Sequence, residues 1–200
     1  MQKKLLIFIL LITALNGNEL VDALKGKKSQ PSKAAKATED RPSKNVCDEK
    51  IVEAIEKNNL IFFRDKKGEL KNLNNCLVSN DLTPMMMAAY SDRTKIVKLF
   101  LSDGVSPDET NMRNYTALHF AVFYGNYEVA EALLEGGANI DAINDAGQTP
   151  LMIAAYYGNA KTAKMLISKG ADTMIRDRAG FNARELAEKK NKKDVLKILK

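Results

Sequence analysis

Asp81-Leu82-Thr83-Pro84-Met85-Met86-Met87-Ala88-Ala89 is echoed by Asn114-Tyr115-Thr116-Ala117-Leu118-His119-Phe120-Ala121. It returns as Gly147-Gln148-Thr149-Pro150-Leu151-Met152-Ile153-Ala154-Ala155. Thr83, Thr116 and Thr149 stand 33 residues apart, with Asn182 a further 33 on. Ala88, Ala121, Ala154 and Ala187 keep that step, as do Gly104, Gly137 and Gly170. A period held at several independent columns marks a stack of one supersecondary unit.

The columns spell out what one unit is. A threonine can accept the orphan N–H groups that open a helix, and proline suits the first helical turn, where no donor is needed. The paired alanines leave room for a second helix to approach. Gly125 and Gly158 end the first helix in the left-handed conformation that glycine adopts cheaply. A second helix follows, with apolar residues at Ile96, Val97, Leu99 and Phe100, then Val129, Ala130, Leu133 and Leu134, then Ala163, Met165 and Leu166. Gly104, Gly137 and Gly170 stop it. Turn-rich stretches such as Ala138-Asn139-Ile140-Asp141-Ala142-Ile143-Asn144-Asp145 connect the units.

The Thr-Pro-Leu-His motif, the 33-residue step and the Gly-Ala-Asn-Ile-Asp-Ala connector resemble the ankyrin-repeat family. The resemblance implies an all-α solenoid of helix-turn-helix units joined by short hairpin connectors. It is clear over residues 81–178 and extends in degenerate form to 46–200. Met86 and Met152 replace the motif histidine, Ala117 the proline and Asp92 a glycine.

The ends depart most. Asn182-Ala183-Arg184-Glu185 replaces Thr-Pro-Leu-His, and Lys189, Lys190, Lys192 and Lys193 decorate the exterior, while Leu186, Val195, Leu196, Ile198 and Leu199 keep the inner face apolar. Residues 180–200 therefore read as a polar-faced C-terminal cap, and 81–179 as three central repeats. Ile51, Val52, Ala54 and Ile55, followed by Leu60, Ile61, Phe62 and Phe63, mark residues 47–80 as an N-terminal capping repeat, with Asn72–Asn75 in the connector position. Residues 24–46 are rich in Lys, Ser, Ala and Pro and poor in large apolar side chains, the composition of a flexible basic linker. Lys3 and Lys4 precede an uncharged run from Leu5 to Leu15, too short for the roughly 20 residues of a membrane span. Residues 1–23 are read as a secretory signal, with Gly17 and Ala23 both offering a small residue for cleavage. The expected destination is the periplasm or the exterior, and the Lys-, Asn- and Ile-heavy vocabulary looks bacterial.

The formal charge of +6 is unevenly placed. Residues 24–80 and 177–200 are basic, whereas 81–176 hold 8 Lys+Arg against 11 Asp+Glu. A nucleic-acid binder would put its positive field on the folded face, so nucleic acid is not expected as a partner. Catalysis is not expected either. His119 is the only histidine, and its place in Thr-Ala-Leu-His implies, through the family resemblance, a bond between neighbouring units. Met86, His119 and Met152 share a column, but stacked helices lie about 8–10 Å apart. Metal bonds are about 2.0–2.3 Å, so no metal is expected there, and no cofactor motif is present. Cys47 and Cys76 are the only cysteines. They flank the capping hairpin, and in an oxidising compartment such a pair is expected to form a disulfide.

One surface pattern points to function. The first helices end in Tyr90-Ser91, Phe123-Tyr124 and Tyr156-Tyr157. In ankyrin stacks these positions tend to line the concave groove, beside connector tips that here include Arg113, Tyr115, Asp145 and Gln148. The core does not require rings there, and aromatic and arginine side chains are the usual anchors of interfaces. The expected partner-binding set is Tyr90, Arg113, Tyr115, Phe123, Tyr124, Gln148, Tyr156 and Tyr157. The expected partner is a protein, bound by a monomer that keeps no membrane span once the signal is cleaved. A cell-envelope-tethered spacer, holding anionic polymer through residues 24–46, is the alternative from another class.

Overall fold

The computed structural model describes residues 45–46, 49–64, 76–78 and 81–199. The signal and most of the linker read from the sequence, the connector Asn72–Asn75, Cys47 and the side chain of Cys76 lie outside the described residues.

The elements run β1 (Asn45–Val46), α1 (Glu49–Glu56), a 3-10 turn (Leu60–Phe63), β2 (Cys76–Leu77), α2 (Pro84–Tyr90) and α3 (Thr94–Ser102). They continue as α4 (Ala117–Tyr124), α5 (Tyr127–Glu135), α6 (Pro150–Tyr157), α7 (Ala160–Ser168), α8 (Ala183–Lys189) and α9 (Lys193–Leu196). Helices α2, α4, α6 and α8 pack one on the next as a first row, and α3, α5, α7 and α9 form a second. The fold is the all-α solenoid expected, with one addition: β1 and β2 pair in parallel, Asn45 with Cys76 and Val46 with Leu77. Strand β1 thus falls within the stretch read as linker.

Each column does its expected work. Ala54, Ala88, Ala121, Ala154 and Ala187 are all buried, so the two rows meet across a line of methyl groups. The Met86 and Met152 N–H groups donate to the hydroxyls of Thr83 and Thr149, at 3.2 and 3.3 Å. Gly125 and Gly158 take φ of 73° and 84°, and Asp92 and Asn191 take the same left-handed turn at 56° and 53°. Asp and Asn are the L residues that bear this conformation best, which is why the glycine can be lost there. At the N-terminal margin Phe63 is buried with its ring edge-on to Phe100 at 5.1 Å. Ile61, read as part of that apolar hairpin, instead points outward and is 85% exposed.

Two sets of side-chain bonds, neither obvious from the motif, lock one unit to the next. Arg93, Asn126, Asn159 and Lys192 share a column at the start of the second helices. Arg93 donates to the Ile55 and Glu56 carbonyls, Asn126 to those of Ala89 and Tyr90, and Asn159 to that of Val122. Carbonyls at the end of one first helix thereby each accept a bond from the next unit. Among the connectors, Asp81, Asp108 and Asp141 accept from the N–H groups of Met112, Asn139 and Asp172, each 31 residues on.

Candidate protein-binding face

Five of the eight expected residues come together as one continuous row of rings. Tyr90 meets Tyr124 at 4.7 Å between centroids, Tyr124 meets Phe123 at 4.9 Å, Phe123 meets Tyr157 at 4.6 Å, and Tyr157 meets Tyr156 at 5.0 Å. All four contacts are edge-to-face, the arrangement the ring quadrupole favours. The row crosses the ends of α2, α4 and α6, and every member is half-buried. It exists because two neighbouring columns carry rings, so that a ring of one unit meets the ring one place along in the next, Tyr90 with Tyr124 and Phe123 with Tyr157.

The rings are not equally available. The Tyr124 hydroxyl oxygen is buried. Burial pushes the Tyr124 and Tyr157 hydroxyls up, Tyr157 to about 12. Tyr90 is also raised, by burial first and then by the nearby Glu56 carboxylate. Tyr124 and Tyr157 therefore seat the row, and they support the fold more than the sequence reading allowed. Tyr90, Phe123 and Tyr156 share the neighbouring column and, like the rest of the row, are half-buried.

The connector residues divide. Arg113 is exposed, held by the bond from its N–H to Asn111 Oδ1. Tyr115 and Gln148, expected at connector tips, are buried, with 5% and 6% of their surface exposed. Tyr115 packs edge-on against His119 and Phe120 and bonds the Asn144 side chain through its hydroxyl, which burial holds up at about 12. Gln148 donates its N–H to Asn144 Oδ1 and accepts from Asn144 Nδ2. Both are turn-forming residues, and an incoming surface does not reach them. What the connectors do expose is Met112 (67%), Ile143 (56%) and Met174 (69%), one large apolar side chain on each.

His119 bridges units as its motif implies. Its Nδ1 accepts from the Thr116 N–H at 3.1 Å and lies 2.9 Å from the Thr116 hydroxyl. Its Nε2 is 3.1 Å from the Gln148 carbonyl of the next unit. A carbonyl only accepts, so the proton sits on Nε2. Burial holds the ring down at about 4, so it is neutral across physiological pH. In the cap, Glu185 accepts from the Asn182 N–H and repeats the capping half of that role without the bridge.

Sequence reasoning missed the end of the row. Lys190, read as a decoration of the cap, places its ammonium 4.5 Å from the centre of the Tyr156 ring. It is the member of the column Ser91, Tyr124, Tyr157, Lys190, so the 33-residue step carried the signal. No group of three or more His, Cys, Asp or Glu among the described residues could hold a metal. No helix among them is long and apolar enough to cross a membrane.

Comparison with known families agrees with this architecture. The family described as ankyrin repeats (3 copies) matches residues 51–144, and that described as ankyrin repeats (many copies) matches residues 124–167. No curated protein matches the chain significantly. The two family matches together cover well over half of the chain, on the units whose helices, caps and bridges are described above, and the protein belongs to the ankyrin-repeat family.

Proposed function

We propose that this protein is a non-enzymatic binding module that holds a partner protein along the aromatic row, after export from the cytoplasm. Ankyrin-repeat stacks are protein-interaction folds, which supports the general class. The observation that carries the specific reading is the unbroken chain of half-buried rings from Tyr90 to Tyr156 across three units. Each ring anchor in such a face is worth roughly 2 kcal/mol on truncation. Phe123→Ala with Tyr156→Ala should thus weaken capture of the native partner by at least about a hundredfold. Lys164→Gln, at an exposed position on the second row, should leave it unchanged. Capture that survives the ring variant and is lost with Ile143→Ser would move the binding face to the connectors.

Export rests on Lys3, Lys4 and the run Leu5–Leu15. The same oxidising destination joins Cys47 to Cys76 in this reading, and the parallel pairing of Val46 with Leu77 brings the flanking backbone together. Closing that loop should stabilise the chain by about 3–4 kcal/mol on chain-entropy grounds. Mass mapping of protein recovered from the native compartment checks both: a mature start between about residues 15 and 25, and one Cys47–Cys76 cross-linked peptide. A full-length chain with two free thiols is the contrary result.

A further inference from the structure

The aromatic row has two unlike ends. At the α1 side, Glu56 lies beside Tyr90, and the Arg93 guanidinium is spent on the Ile55 and Glu56 carbonyls. At the cap side the charge is one-sided. Lys190 holds its ammonium over the Tyr156 ring, and the Lys192 stem runs against Gly158, which directly follows Tyr157. The carboxylates of the cap are already engaged: Glu185 by Arg176, Glu188 by Arg184 and Asp194 by Lys197. Among the described residues neither Lys190 nor Lys192 has an ion-pair partner.

We infer that Lys190 and Lys192 form a carboxylate-reading subsite at one end of the aromatic row. The occupant is an extended peptide segment of a partner protein, its apolar side chains on Phe123 and Tyr156 and an acidic residue over the two ammonium groups. This rests on the row being the binding face. Charge complementarity commits the occupant: an apolar segment alone would leave two ammonium groups under it without counter-charge, which costs free energy as water is excluded. An acidic residue there gains from the same exclusion, because Coulomb attraction strengthens as the local dielectric falls. A bare polyanion is the poorer fit, since Lys190 is drawn onto a ring of the apolar row and not set out on an open basic surface. Direction follows as well: the acidic end lies toward α8 and the neutral end toward α1.

A library of random dodecamer peptides, selected on the full chain, tests this. Three baits are compared: wild type, Lys190→Gln with Lys192→Gln, and Phe123→Ala with Tyr156→Ala. Circular dichroism confirms that each is folded, and Tyr156→Ser alone replaces the ring pair should that variant unfold. Wild type should enrich peptides that join large apolar residues to an acidic residue on one side. Binding of a selected peptide should fall at least tenfold when its acidic residues become Asn or Gln, and equally with the lysine variant, which still enriches apolar sequences. No acidic preference, or one that survives the lysine variant, overturns the subsite and leaves the row standing. Peptides indifferent to the ring variants overturn the row itself. Purely acidic peptides displaced by polyphosphate would assign the lysines to a polyanion site, and no enrichment at all would remove both readings.

Discussion

The two ends of the first helices do different work. At their N-terminal ends polar side chains are consumed by the fold: His119 joins Thr116 to Gln148, Asn144 ties Ala146 and Gln148, and Asp141 reaches Asp172. At their C-terminal ends Asn126 and Asn159 tie the backbone equally well, but the side chains beyond go further than closure demands. Half-buried rings line up there, the Ser91 hydroxyl is buried with no hydrogen-bond partner among the described residues, and lysines stand uncompensated. A stack needs each unit locked to its neighbour; it does not need that lock twice. The end whose side chains go beyond that lock is where a partner is to be sought.

The comparison breaks first at His119. His119→Ala opens a cavity and removes the acceptor of the Thr116 N–H, so it should cost roughly 3 kcal/mol at neutral pH, read by urea denaturation. Tyr156→Ala, at the opposite end, should cost about 1 kcal/mol, the scale of one edge-to-face contact. Equal losses would mean that both ends hold the fold.

A finer test converts His119 to what its own column uses elsewhere. His119→Met makes this unit chemically like those of Met86 and Met152. The Gln148 carbonyl still accepts from the Asn144 N–H, so the cost at pH 7.5 should be only about 1 kcal/mol. The ring's pKa is about 4 in the folded protein against an ordinary 6.5. Its stabilisation is therefore complete above the unfolded value and is lost as pH falls from about 6.5 toward 4, by up to roughly 3 kcal/mol. The methionine variant lacks that loss. The stability curves of wild type and His119→Met should cross between about pH 6 and 5, since other groups titrate alike in both. Parallel curves would show that the ring titrates in the fold as it does in the unfolded chain.

What the sequence made legible was whatever one unit requires of itself. Thr83 and Thr149 as caps, the buried alanine column and Gly125 with Gly158 follow from helix physics and a 33-residue step. What stayed hidden was what one unit requires of the next. Arg93, Asn126 and Asn159 differ in type, and their common place becomes visible only when the preceding carbonyls are in position. Tyr115 and Gln148 were expected outside because they belong to polar, turn-rich connectors. The connector folds back on Asn144 and turns both side chains inward. The aromatic row was half legible: periodicity placed the rings together, but only packing shows that the Tyr124 hydroxyl is turned inward.

The smallest effect lies where the C-terminal end of one first helix is least well made. Gly125 and Gly158 turn the chain after α4 and α6, whereas Asp92 must adopt φ of 56° after α2. A left-handed L residue costs about 1 kcal/mol, somewhat less for Asp. The carboxylate also sits at the negative end of the helix dipole, which adds a few tenths of a kcal/mol. Asp92 is exposed and enters no ion pair among the described residues that would offset this. Asp92→Gly should therefore raise stability by about 0.5–1 kcal/mol, after the greater freedom of glycine in the unfolded chain is subtracted. The melting temperature should rise by about 1–4 °C. Asp92→Asn removes the charge and keeps the side chain, and should recover only the smaller, salt-sensitive part. If Asp92→Gly is neutral or destabilising while Asp92→Asn stabilises, the turn carries no strain and the charge alone separates this unit from its neighbours.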